Sequence, residues 1–103
     1  LTSTVVQVKG DLVSLIFEGE TRASLVSPKK IGYEPKLLGR ATFNLKEQKF
    51  VSFELLAVGL RWGLGNCNQR HNPAPALMGI VFTLAGDSQA ERLPPAFISR
   101  YGW

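Results

Sequence analysis

The sequence predicts a mainly β protein of about six mostly antiparallel strands, curled into a small barrel or a two-layer sandwich, with a short helical turn near the C-terminus. Three observations carry this. Apolar and polar residues alternate with period two over residues 4–17, 40–54 and 79–85, the signature of strands with one covered face. The chain also has ten glycines and six prolines, with few windows suited to long helices. Ser88 and Glu91, spaced as a capping box, stand shortly before Pro94-Pro95, which would stop any helix begun there.

The first strands follow from their turns. If Gly10-Asp11 is a two-residue turn, Val8 faces Val13, Val6 faces Leu15 and Thr4 faces Phe17, with Gln7 and Ser14 on the opposite side. A second reversal at Gly19-Glu20-Thr21 would pair Leu15 with Leu25, Phe17 with Ala23 and Glu18 with Arg22, completing a meander. Residues 28–36, with two prolines, a glycine and no alternation, read as a connecting loop.

A hairpin comes next. Setting Asn44 opposite Phe50 pairs Phe43 with Val51, Ala41 with Phe53, Thr42 with Ser52 and Arg40 with Glu54. Register decides which side chains face the core, and this one keeps apolar residues with apolar ones. Beyond Glu54, residues 55–60 are apolar on both faces, which predicts a strand covered on both sides, by the sheet curling on itself, by packing in a sandwich or by another chain, with Gly59 at a bulge or bend. Residues 79–85 form the last strand, placing Ile80, Phe82 and Leu84 on one face. Phe97, Tyr101 and Trp103 are expected as anchors that tie down the terminus.

At 103 residues the chain is expected to be a single β domain. Its start at Leu1, close to the first strand pattern, suggests a processed or truncated part of a longer protein. No stretch approaches the roughly 18 unbroken apolar residues of a membrane helix. The formal charge of +4 and pI near 9.6 favour anionic neighbours only weakly. Lys29, Lys30 and Lys36 gather in one segment, while the arginines are scattered.

Chemistry-bearing residues concentrate after Trp62, where a strand runs into a Gly/Asn-rich loop holding the single Cys and the single His, Cys67 and His71. One Cys excludes an internal disulfide and a C-x-x-C-H haem attachment. Cys67 and His71 supply two metal ligands where a structural zinc needs four and a catalytic one usually three, so no metal or other cofactor is expected. A thiol nucleophile at Cys67 activated by His71, with Asn66 or Asn68 nearby, is the basis of an alternative reading as a small hydrolase or transferase. Glu54 is the other acid considered, but it has no companion carboxylate and is expected in a cross-strand ion pair with Arg40. A nucleic-acid-binding β domain is a second alternative, resting on Tyr33 among Lys29, Lys30 and Lys36.

The runs FELLAVGLRWG at residues 53–63, LMGIVFTL at 77–84 and RLPP at 92–95 resemble the C-terminal part of uncharacterised, exported bacterial proteins of the planctomycete kind. The resemblance covers about the second half of the chain. It implies a β-rich extracytoplasmic module and brings no catalytic residues with it; the segment between the motifs in those proteins carries no fixed Cys or His, which weighs against a Cys67/His71 site. The expectation is therefore a noncatalytic binding or interaction module of an exported protein. Trp62, Asn66, Asn68, Arg70 and His71 would contact a ligand or protein partner, with a homo-oligomer among the partners and neither nucleic acid nor a membrane span favoured.

Overall fold

The computed structural model describes residues 1–25, 31–63 and 74–92. They form β1 (Thr2–Lys9), β2 (Leu12–Glu20), β3 (Ala23–Leu25), β4 (Ile31–Asn44), β5 (Lys49–Trp62), β6 (Ala76–Thr83) and the short helix α1 (Gln89–Arg92). All six strands belong to one sheet, in the order β1-β2-β4-β5-β6, with β3 also on β4. Every pairing is antiparallel. The mainly β class and the strand number are as the sequence predicts, but the sheet does not close. Its edges, β1 and β6, do not pair, so the barrel is absent, and among the described residues no second sheet makes a sandwich.

The expected reversal at Gly19-Glu20-Thr21 is also absent. From Leu12 opposite Asn44 to Leu25 opposite Ile31 the chain advances along β4 in one constant register. β2 and β3 are thus one long path on the flank of β4, interrupted opposite Pro35. Pro35 has no N–H to give, but its carbonyl accepts from the Thr21 amide at 3.1 Å, which keeps the path in line. Residues 31–36, expected in a loop, therefore open β4. The expected partners are replaced: Leu15 lies beside Ala41, Phe17 beside Gly39, and Arg22 pairs with Glu34 at 2.7 Å instead of with Glu18. Gly19 serves close approach rather than turning, because a Cβ there would lie 2.8 Å from the Leu1 backbone.

Two bulges adjust the other registers. Val8 faces Val13 and Gln7 shares a row with Ser14, as expected, but the register then shifts so that Val5, not Val6, faces Leu15 and Ser3, not Thr4, faces Phe17. In the β4–β5 hairpin, Arg40, Thr42 and Ala41 oppose Glu54, Ser52 and Phe53 as expected. Past Thr42 the ladder shifts by one, so Phe43 meets Phe50 and Asn44 meets Lys49, leaving Val51 as the extra residue. The Asn44 side chain accepts from the Glu47 amide at 3.0 Å, and Gln48 takes a left-handed φ of 52°, which together close the turn. Gly10 turns the first hairpin with φ of 61°, and the Asp11 carbonyl accepts from the Leu45 amide, holding the two turns side by side.

Register assigns the faces. One face collects Val8, Val13, Leu15, Phe17, Tyr33, Leu37, Ala41, Phe43, Phe50, Phe53, Leu55, Ala57, Ile80 and Phe82, and Arg61 is its one charged member within the strands. The opposite face carries the ion pairs and a run of exposed aliphatics, Leu38, Leu56, Val58, Leu60, Leu77 and Val81. Among the described residues, which form one layer, nothing covers this face of the strand expected to be covered on both sides. Even the first face is thinly covered: Ala41 and Ala57 are the buried hydrophobic residues among those described.

β6 begins earlier than expected and ends at Thr83, although Leu84 still donates to the Phe53 carbonyl. The Ser88 half of the capping box forms, while the Glu91 carboxylate turns to the Ser88 hydroxyl and the Gly86 amide. Ser88 Oγ donates to Glu91 Oε1 at 3.0 Å and accepts from the Glu91 amide.

Candidate functional site

The strand end expected to bear the site is built from three neighbouring elements. β5 delivers Trp62 opposite Gly32 of β4, with Ser24 of β3 in the same row. The indole lies where a Gly32 side chain would stand, so a Cβ there would overlap its six-membered ring. This arrangement lets a large aromatic cover backbone that glycine leaves bare. Gly63 then takes φ of 83° and leads the chain out of the sheet. The half-buried Trp62 ring packs on its own sheet, over Gly32.

Tyr33 anchors the other side of this strand end. Its hydroxyl lies 3.0 Å from the carbonyl oxygens of both Ala57 and Met78, so its single proton is committed to backbone acceptors reached across β5. Tyr33 was expected to be exposed among lysines as a nucleic-acid contact. It is instead half-buried on the apolar face, between Ala23 and Arg61, because β4 begins before it rather than after it. Lys36 is exposed on the opposite face, opposite Glu20 and Val58, and Lys29 and Lys30 lie outside the described residues.

Glu54 pairs as the sequence suggests. Its Oε2 accepts from Arg40 Nε and Nη2, each at 2.8 Å, with Thr83 next in the row. Both side chains are exposed, so the pair stabilises by roughly 0.2–1 kcal/mol and its attraction is screened by salt. Among the described residues no group of three His, Cys, Asp or Glu side chains gathers as a metal would require. Asn66, Cys67, Asn68, Arg70 and His71, and with them the candidate thiol and most of the expected contact loop, lie outside the described residues.

The comparisons decide no family. Searches against family models, curated proteins and solved structures found no match.

The feature that sequence reasoning missed is a surface rather than a constellation. Phe17, Phe43, Phe50 and Phe53 form a chain of tilted and edge-to-face rings, with centroids 5.7 Å apart for Phe17 and Phe53, 5.2 Å for Phe43 and Phe50, and 5.8 Å for Phe50 and Phe53. Such geometry holds rings in fixed relation beyond the burial each achieves. Around it Val8, Ile80, Phe82 and Leu84 remain exposed. On the opposite face, Ile16, Leu38, Leu56 and Val81 border a shallow depression of about 540 Å³ flanked by the Arg40–Glu54 pair. The alternation carried the signal for the first surface, since it marks an apolar face without saying what lies on it.

Proposed function

We propose that this chain is a noncatalytic interaction module of an exported protein, and that it works as one β layer of a larger protein assembly. The observation that carries the reading is the mismatch between an apolar sheet face with an ordered aromatic chain and a described core of only Ala41 and Ala57. An apolar surface of this extent is a place where protein meets protein. Glu54, the acid considered for catalysis, is instead an exposed cross-strand partner of Arg40, as Glu34 is of Arg22.

The strand end at Trp62 and the loop after it, with Asn66, Asn68, Arg70 and His71, form the recognition edge of this reading. Amides and a guanidinium that follow an aromatic closely in sequence suit hydrogen-bonded recognition of a partner.

The test is whether the face is uncovered in the isolated chain. Hydrophobic-dye binding at concentrations low enough to dissociate any assembly should be strong and should fall when Phe82 is replaced by Glu, with the β circular dichroism retained. A dilute chain that binds no dye has covered its own face, and the module reading then fails.

A further inference from the structure

Resting on that reading, we infer that the occupant of the aromatic face is a second copy of this chain, the two sheets packing face to face as a two-layer sandwich. The sandwich is then completed between chains rather than within one.

Area is the first argument. At about 3.3 Å per residue along each strand and about 4.8 Å between strands, the sheet covers roughly 900 Å² on one face. Two copies apposed would withdraw roughly 1,800 Å², inside the range of stable specific interfaces, about 1,200–2,000 Å².

Chemistry is the second. A two-fold axis sets a surface against itself, so the surface must be self-complementary. The aromatic face meets this condition easily: apart from Arg61 at one end, its strand residues carry no charge that would meet its own like across the axis. It also offers little for charge complementarity to read in a different partner. Its composition resembles a core cut in half, the character of obligate homodimer interfaces. The opposite face is built otherwise, with Arg22, Glu34, Arg40 and Glu54 standing among its aliphatics. That mixture suits the outside of the sandwich.

Geometry is the third. Two sheets pack about 10 Å apart with interdigitating side chains. The Phe17, Phe53, Phe50 and Phe43 rings form a ridge, and the exposed Val8 and Phe82 stand on strands at either edge of the same face, at the rim of the contact.

Sedimentation of the full chain across a dilution series, with Val8→Glu, Phe82→Glu and Leu38→Glu alongside, tests this. These three side chains are already exposed, so each variant can keep its fold, checked by circular dichroism. The wild type should sediment at twice the 11.3 kDa chain mass. Val8→Glu and Phe82→Glu should each weaken self-association by about 10-fold, because a charge at the rim of an apolar contact loses only part of its hydration. Leu38→Glu, on the other face, should leave it unchanged. Dimers weakened only by Leu38→Glu would overturn the inference by choosing the wrong face. A wild type that stays monomeric at about 100 μM would also overturn it. If that monomer binds hydrophobic dye, the interaction-module reading survives with a different partner; if it does not, both fall.

Discussion

Trp62 and Gly32 face each other across β5 and β4, and the indole occupies the space a side chain at Gly32 would need. The pair fastens the far end of the long hairpin, some distance from its turn at Leu45. Gly32→Val should destabilise the fold by about 1–3 kcal/mol, since the ring must leave or the strands must part. Trp62→Ala removes the cover and should also destabilise. Urea unfolding of the two single variants and the double should show strong non-additivity, the double costing less than the sum of the singles. Additive losses would mean that the ring and the glycine do not act as a pair.

Tyr33 makes a narrower prediction. Its hydroxyl reaches the carbonyls of Ala57 and Met78, tying β4 across β5 to β6. Tyr33→Phe keeps the ring and removes only this donor, so stability should fall by about 0.5–1.5 kcal/mol. Amide exchange should quicken in β6 more than in β1, which Tyr33 does not touch. A loss spread evenly over the sheet would point to packing of the ring instead.

Much of this could be read from the chain before its structure. The Arg40/Glu54 register was legible because one slip places a charge on the apolar face, and carried eight residues further it puts Trp62 on Gly32. The two bulges were not legible: Val6 stands beside Val5, and Val51 beside Phe50, so the apolar pattern does not say which residue is passed over. The false reversal at Gly19 arose because Leu15 and Phe17 suit any apolar mate of the right parity. A tight hairpin would have given a short ladder, whereas β4 offers β2 nine consecutive partners, and the longer ladder wins. The lack of cover among the described residues escaped for a different reason. Alternation shows that a face is apolar and leaves open whether the cover comes from the same chain.

The Arg40–Glu54 pair should contribute little and depend on salt. Arg40→Ala or Glu54→Gln is expected to cost less than about 1 kcal/mol, shrinking as ionic strength rises above the physiological range. The swap Arg40→Glu with Glu54→Arg should recover most of that loss, because the residues sit directly opposite. Thermal unfolding at low and high salt measures this. A loss of several kcal/mol, unmoved by salt, would show that the carboxylate is doing something other than pairing on an exposed face.

Gly59 and Gly79 separate two reasons for a glycine in a strand. At Gly59 the sequence suggests a bulge or bend, yet the β4–β5 register passes through it unbroken, opposite Pro35. What the glycine provides is room: a Cβ there would overlap the Glu34 carbonyl and crowd the Pro35 backbone, and backbone cannot step aside as a flexible side chain can. Gly59→Ala should therefore break pairing locally or push β4 and β5 apart, at about 2 kcal/mol or more. At Gly79 a Cβ would meet Val58 Cγ2 at an ordinary 3.7 Å. Gly79→Ala should be neutral or stabilising by up to about 1 kcal/mol, because alanine restricts the unfolded chain without straining the native one. Urea midpoints of the two variants, measured side by side, provide the check. Equal effects at both positions would mean that the close approach of β5 to Glu34 and Pro35 does not govern the stability of the sheet.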